Sequence, residues 1–304
     1  MKRLFFLLLM LSSASALRVL VTGAGGRTGK LVVEQLCLEK NVEVVALARS
    51  KKAQKALKKQ VPSLKEFKAV DVMDKAALEE VMVGCDAVVL CTSAVPKIKI
   101  WSLLKVLVKK SILRSKDPGR PEFSFPEGGT PEEVDWLGAQ KQMDAASKCG
   151  VKHFVMVSSM GATQPENFLN TIGRRPDGSG GDILLWKRKA ERYLMGLGMD
   201  YTIVHPGGLV DEKPKKRELL IDVNDKLLEL KTRSIPRSDV ARVCCAALFD
   251  DRAKNKSFDI ASKPPDDDDA KITEDIPKDL FTQLADKDTD YTTKVIPDPP
   301  SIFR

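Results

Sequence analysis

The stretch "VLVTGAGGRTGKLVVEQL", Val19 to Leu36, constrains this chain more than any other. Gly23, Gly26 and Gly29 stand in a G-x-x-G-x-x-G spacing between an apolar run that reads as a strand and an amphipathic run that reads as a helix opened by Thr28. In such a turn the first glycine permits the bend and the second lets backbone N–H groups approach a pyrophosphate. The third lets helix and strand pack closely, with the helix N-terminus aimed at the anion. A plain glycine turn would show the same letters. Its place at the first turn of an alternating chain makes it a dinucleotide site.

The alternation runs on. Strands are expected at Leu17–Thr22, Val42–Ala48, Phe67–Val70, Ala87–Cys91, His153–Val157 and Tyr201–Val204. Helices are expected between them at Thr28–Leu38, Lys51–Gln60, Lys75–Met82, Pro131–Lys148 and Ile183–Leu197, with a further helix at Arg237–Leu248 and a strand at Ser257–Ile260. Short apolar runs alternating with helical patterns give a parallel sheet covered on both faces. The expected fold is α/β: a single-domain, doubly wound parallel sheet of the Rossmann type over residues 17–263. After Ser262 the composition changes to "KPPDDDDA", which reads as a charged linker, then a short helix near Lys278–Ala285, then a loose tail.

The end of the second strand bears on the choice of nucleotide. A carboxylate there would bond the ribose 2′-hydroxyl of NAD. The chain reads "ALARSKK" instead, and Arg49 and Ser50 suit a 2′-phosphate, with Arg27 of the glycine loop adding a second guanidinium. NADP is therefore the expected cofactor.

The formal charge is +8, but its placement matters more than its size. Lys2 and Arg3 lie in the leader, and the stretch Lys97–Lys116 carries seven more positive residues and no acid. Without those nine the chain is nearly neutral, so nothing suggests a nucleic-acid surface. On a helical wheel Ile100, Trp101, Leu103, Leu104, Leu107 and Val108 share one face of this insert, with Lys105, Lys109 and Lys116 opposite and Arg114 near the apolar edge. Two readings fit: first a lid helix packed over a substrate cleft, and second a peripheral contact with an anionic membrane.

The first 16 residues, "MKRLFFLLLMLSSASA", have the form of a secretory signal peptide: a basic start, an apolar run too short to span a bilayer, and a small-residue cleavage site. Cys37, Cys85, Cys91, Cys149, Cys244 and Cys245 sit inside apolar patterns without ligand spacing and read as buried free thiols, at home in a reducing compartment. Two destinations follow: the ER lumen or exterior, where the Asn255-Lys256-Ser257 sequon would matter, or a plastid reached by a bipartite route, as in algae with secondary plastids. With two His and scattered Cys no metal site is expected, and Ser158-Ser159-Met160-Gly161 lacks the G-x-S-x-G of a nucleophile elbow.

The stretches "VTGAGGRTGK", "LCTSAVPK", "GRPEF", "VDWLGAQKQMDAA", "GVKHFVMVSSMG", "LLWKRKAERYL", "DYTIVHPGGL", "IPRSDVA" and "AKNKSFDIASKP", in that order from about Leu17 to Pro264, resemble the atypical short-chain dehydrogenase/reductases, NmrA-like branch. Within it the chain looks most like a plant group of small NAD(P)-binding proteins. The resemblance implies a cofactor lying across the strand ends. By position Asp71 and Val72 would flank the adenine, Thr92 and Ser93 would lie along the ribose, and Ser158 and Ser159 would stand near the nicotinamide.

Conventional members of that superfamily place a Tyr four residues before a Lys, so that both face the cofactor from one helix face. The Lys favours the phenolate and the Tyr acts as general acid. Here the aligned Lys is Lys187, and four residues earlier stands Ile183. Tyr193, Tyr201 and Tyr291 are followed at the fourth position by Leu197, His205 and Val295, so no Tyr-x-x-x-Lys exists. Related reductases of the isoflavone-reductase type also carry an aliphatic residue there and use the Lys itself. Lys187 is thus expected either to catalyse or only to bond the nicotinamide ribose, with Arg188 and Lys189 on the solvated face. His205 follows the sixth strand, where relatives usually carry Arg, and is the other catalytic candidate, as a proton donor to a substrate carbonyl. The alternative is a hydrogen-bonded structural histidine, the role also expected of His153. Two functions stay open: an NADPH-dependent oxidoreductase acting on a small carbonyl or conjugated substrate, and an NADP(H)-binding regulatory or scaffold protein without chemistry.

Overall fold

Strands that are apolar on both faces belong inside a sheet covered on both sides, and the central strands of this chain are buried along most of their length. The computed structural model describes residues 16–114, 116–267, 269–292 and 296–301. The leader through Ser15 lies outside the described residues. In chain order the first half comprises β1 (Leu17–Thr22), α1 (Gly29–Leu36), β2 (Val42–Ala48), α2 (Lys51–Gln60), β3 (Glu66–Ala69), α3 (Lys75–Met82) and β4 (Ala87–Leu90). The insert follows as β5 (Lys97–Ile98), α4 (Ile100–Ser111) and β6 (Phe123–Ser124). A π-helical segment, Glu132–Gly138, runs into α5 (Ala139–Lys148), and then come β7 (His153–Val157), α6 (Phe168–Thr171), α7 (Ile183–Met195) and β8 (Asp200–Pro206). The chain ends with β9 (Gly208–Val210), β10 (Glu218–Asp222), β11 (Ser234–Pro236), α8 (Arg237–Ala247), β12 (Lys256–Lys263) and α9 (Ile276–Asp279).

Among the described residues the main sheet has eight strands in the order β10-β12-β8-β7-β4-β1-β2-β3, all parallel except β10, which pairs antiparallel with β12. The chain winds outward from β1 through β2 to β3, then returns to β4 on the other side of β1. The crevice outside the carboxyl ends of β1 and β4 is thus the topological switch point, where such sheets bind ligands. Period-2 alternation divides the core. Val19 and Val21 pack on one face with Val32, Leu36, Val240 and Phe258, while Leu20 packs on the other with Met82, Met143, Phe154 and Leu194.

The expected strands form at or within about two residues of the places the patterns indicate, which makes this a Rossmann-like, mostly parallel α/β domain. Two parts differ. The polar stretch after β8 hides β10, an edge strand with one face half-exposed. The other is the C-terminal region, where the short helix expected near Lys278–Ala285 is present as α9 and a 3-10 turn at Phe281–Leu284, and it and the described residues beyond it pack on the body. Ile276, Leu280, Phe281 and Leu284 are buried in the core, with the Phe281 ring 6.1 Å from that of Phe258. Farther on, Arg188 donates to the Asp290 carbonyl at 3.1 Å and Arg192 to the Ile296 carbonyl at 3.2 Å. Apolar residues at helical spacing and two arginines on α7 hold this strap, although acidic neighbours make it read as linker.

Candidate cofactor and active site

The glycine loop is shaped by close approach. Gly23 has φ of 65°, and a Cβ there would lie 2.7 Å from the Cys91 carbonyl and 2.8 Å from the Thr92 nitrogen. The loops after β1 and β4 therefore touch at the switch point, and only glycine fits between them. A Cβ at Gly29, the first residue of α1, would run into the Gly23 carbonyl. Gly26 donates to the Gly23 carbonyl at 2.8 Å and Ala24 to the Leu47 carbonyl at 3.1 Å, so the loop is tied to itself and to β2. The result is a bare backbone cradle at a helix N-terminus, suited to a pyrophosphate.

Around the cradle the candidate residues separate. Arg49 is exposed at the end of β2. Ser50 caps α2, accepting from Ala53 N at 3.2 Å. Arg27 stands 3.6 Å from Asp211, both exposed. Asp71 is exposed after β3 and accepts from Met73 N at 2.9 Å. Val72 is buried in the core, and a Cβ at Gly138 would lie 3.1 Å from it, so it supports the wall rather than opening to a ligand. Thr92 accepts from Gln142 at 3.3 Å, and Ser93 is exposed. Thr22 Oγ1 and Gln142 Oε1 are buried without a hydrogen-bond partner on the elements that meet here. Such orphaned atoms, beside the glycine cradle, fit a polar ligand at the switch point.

Lys187 is positioned by a residue the patterns did not single out. Its ammonium is 2.7 Å from Asp135 Oδ1, with the two side chains 7% and 0% exposed. Asp135 Oδ2 accepts from Ala94 N at 3.1 Å, which fixes the pair to the loop after β4. Asp135 lies in the π-helical segment, a geometry that frequently marks functional sites. That segment starts on a capping box: Thr130 and Glu133 exchange hydrogen bonds of 2.8 to 3.3 Å, with Pro131 between them in helical conformation. The Lys187 ammonium has no other partner among the described residues. The nearby Cys91 thiol is pushed up to about 12 by burial, against the pull of Lys187, and so stays protonated.

A second polar cluster lies behind, and it corrects the expected place of Arg188. Arg188 is 3% exposed rather than solvated; it pairs with Glu191 at 3.4 Å and stacks 3.5 Å from the centroid of Tyr291. His205 is also 3% exposed, with Nδ1 3.0 Å from Asp259 and Nε2 3.3 Å from Glu191. Burial alone would lower its pKa, but the Glu191 and Asp259 carboxylates outweigh that and hold it up to about 10. Burial likewise pushes Glu191 up, and His205, Arg188 and the Ser158 hydroxyl bring it down to about 2. An imidazole held between two buried carboxylates fits the structural, hydrogen-bonded role. Ser158, at the end of β7, is buried and gives its hydroxyl to Glu191. The half-buried Ser159, bonded to the Met160 carbonyl at 3.1 Å, is its neighbour. Tyr291 donates to Glu191 at 3.0 Å from the C-terminal strap. Lys189, expected on the solvated face, is half-buried, 3.2 Å from Asp298 and 4.6 Å from the Trp136 ring centroid. His153 is buried with Nε2 2.9 Å from Thr202 Oγ1, and burial lowers its pKa to about 4.

No residue of α4 is buried. The six cysteines are free, three of them buried.

The sequence profile of a family described as NAD(P)H-binding matches residues 23–251. An Arabidopsis thaliana protein named as uncharacterised and chloroplastic is 43% identical over 278 residues, covering 91% of this chain and 78% of that one. A sanguinarine reductase of Eschscholzia californica is 40% identical over 262 residues, covering 84% and 92%. Among solved structures, an oxidoreductase of Lactococcus lactis superposes with a TM-score of 0.54 at 26% identity, covering 81% of this chain and 91% of that one.

Proposed function

The chain belongs to the NAD(P)H-binding, atypical short-chain dehydrogenase/reductase family, and from that premise we propose that it is an NADPH-dependent reductase of a small carbonyl or conjugated substrate, working through Lys187. The observation that carries this reading is the Lys187–Asp135 pair at 2.7 Å, anchored to the loop after β4 and with the ammonium otherwise uncommitted. Reduction by a relative 40% identical supports it. The glycine cradle at Gly23, Gly26 and Gly29, with Thr28, would hold the pyrophosphate; Arg49 and Arg27 would read the 2′-phosphate; Thr92, Ser93 and Asp71 would line the ribose and adenine side. NADPH supplies the hydride when bound. Lys187 bonds the nicotinamide ribose and the substrate oxygen, and it hands that oxygen a proton as charge builds there. Asp135 keeps the ammonium aimed, and the proton is replaced from solvent.

A second reading rests on a specific observation: no phenol stands four residues before Lys187, and Ser158 is tied to Glu191. In that reading the protein binds NADP(H) and transfers nothing. NADPH oxidation against a panel of quinones and enals, wild type beside Lys187→Ala, separates the two. Tight NADPH binding with no turnover on any acceptor overturns the reductase.

For location, the plastid is the better supported destination. The relative above is chloroplastic, and free thiols suit a reducing compartment. Asn255 uses its amide on Asp200 and Tyr201, and Ser257 is buried. A fluorescent fusion of the full chain should co-localise with chlorophyll; a glycosylated, secreted product contradicts this.

A further inference from the structure

We propose that α4 is a docking element for an anionic lipid bilayer. The helix sits on a small mount, the β5–β6 ladder. β5 pairs antiparallel with β6, Lys99 pairs with Glu122 at 3.0 Å, and Ser102 Oγ donates to the Lys99 carbonyl at 2.7 Å while accepting from Glu122 N at 2.8 Å. Ser102, Leu103 and Val106 are the half-buried positions of α4, so this side turns toward the mount. The opposite side is apolar and uncovered: Ile100, Trp101, Leu104, Leu107 and Val108 are all exposed, Trp101 by 80%, and Ile112, just past the helix, is exposed too.

Charge selects what covers this ridge. At 100° per residue Lys105 and Lys109 border it on one side and Lys110 on the other. With Lys97, Lys99, Arg114 and Lys116 they make seven cations and no acid between Lys97 and Lys116. A bilayer of anionic lipids matches both features. The apolar ridge enters the boundary between headgroups and acyl chains, and the ammonium groups, on long flexible stems, reach the phosphates. No helix among the described residues is long and apolar enough to cross a membrane, so the contact is peripheral.

The test uses the purified protein with vesicles of phosphatidylcholine mixed with phosphatidylglycerol, and with vesicles of phosphatidylcholine alone. Sedimentation at low salt should be strong with the anionic vesicles, fall with added salt, and be weak with the neutral ones. Fluorescence should shift to the blue on binding, and Trp101→Phe should lose the shift while still binding. Lys105→Glu combined with Lys109→Glu should lower the partition coefficient at least ~30-fold, from about fivefold per cation at an anionic surface. Leu104→Ser combined with Val108→Ser should also weaken it. Because no residue of α4 is buried, both double variants should keep wild-type NADPH affinity and melting temperature. The proposal is overturned by any of four results: no sedimentation with anionic vesicles at low salt, equal binding to both vesicle types, unchanged binding by the charge-reversed variant, or an unshifted Trp101. Concentration-dependent dimerisation abolished by Trp101→Ser would give the ridge to a second copy instead, and a Trp101 signal that follows NADPH rather than vesicles would make α4 a lid.

Discussion

Replacing His205 with Gln isolates its structural role from the chemistry. The imidazole sits within 3.0 Å of Asp259 and 3.3 Å of Glu191, and all three groups are almost fully buried. Gln keeps some bulk and polarity but no charge, so two buried carboxylates lose their shared cation. Breaking a buried pair in this way costs ~3–5 kcal/mol, a large part of the ~5–15 kcal/mol that holds a typical domain together. Urea unfolding followed by circular dichroism measures the loss. Its pH dependence carries a signature. His205 is raised from 6.5 to about 10 on folding, so its contribution is complete below pH 6.5 and is lost as pH rises toward 10. Glu191 is lowered from 4.5 to about 2, so its contribution is complete above pH 4.5 and is lost as pH falls toward 2. The pair thus stabilises most between pH 4.5 and 6.5. Above that window the wild type should lose up to ~1.4 kcal/mol per pH unit from this one proton, and His205→Gln should lack that slope. A variant with wild-type stability and slope, intact NADPH binding and abolished turnover would refute the reasoning and return His205 to the active site.

Three other substitutions probe the crevice. Arg49→Glu sets a carboxylate against the 2′-phosphate and should shift preference from NADP toward NAD. The lost charge-assisted bond is worth ~1.5–3 kcal/mol, or more than tenfold in relative affinity by calorimetry, and an unchanged ratio removes Arg49 as the reader. Gly29→Ala puts a methyl group into the Gly23 carbonyl; it should destabilise by ~1–3 kcal/mol and show none of the rise in melting temperature that is expected of the wild type on adding NADPH. Asp135→Asn keeps an acceptor for Ala94 N but removes the charge beside Lys187, and misaiming of that ammonium should lower NADPH oxidation ~10²-fold with a smaller change in NADPH affinity.

The elements that carry local signals were legible in the amino-acid sequence. Gly23 and Gly29 declare their contacts because a tight βα turn needs glycine wherever backbone meets backbone, and the strands declare themselves by apolar runs of the right length. The missing Tyr before Lys187 is legible for the same reason, since it concerns one turn of one helix. The partners of these residues were not. Asp135 reaches Lys187 from a π-helical segment 52 positions earlier, and no local pattern pairs them. Glu191 lies one turn after Lys187 on the same face of α7 and could have been suspected there, as an acid among positions that otherwise read as buried. Tyr291 arrives from a strap whose acidic neighbours mask the spacing of Ile276, Leu280 and Leu284. His205 shows the limit most clearly: a strand-end position is shared by catalytic and structural histidines, and only the two carboxylates from α7 and β12 distinguish them.

Hydride transfer from NADPH in this crevice with Lys187 assisting is tested by single-turnover transfer from NADPH deuterated at the nicotinamide C4, with the product analysed by mass spectrometry for each acceptor. Such transfer predicts deuterium in the reduced product of at least one carbonyl or conjugated acceptor. It also predicts a rate lower by ~10²–10⁴-fold in Lys187→Ala, the span of general-acid catalysis, with NADPH still bound. Saturating NADPH binding with no deuterium in any product, or transfer at the same rate in Lys187→Ala, would contradict it.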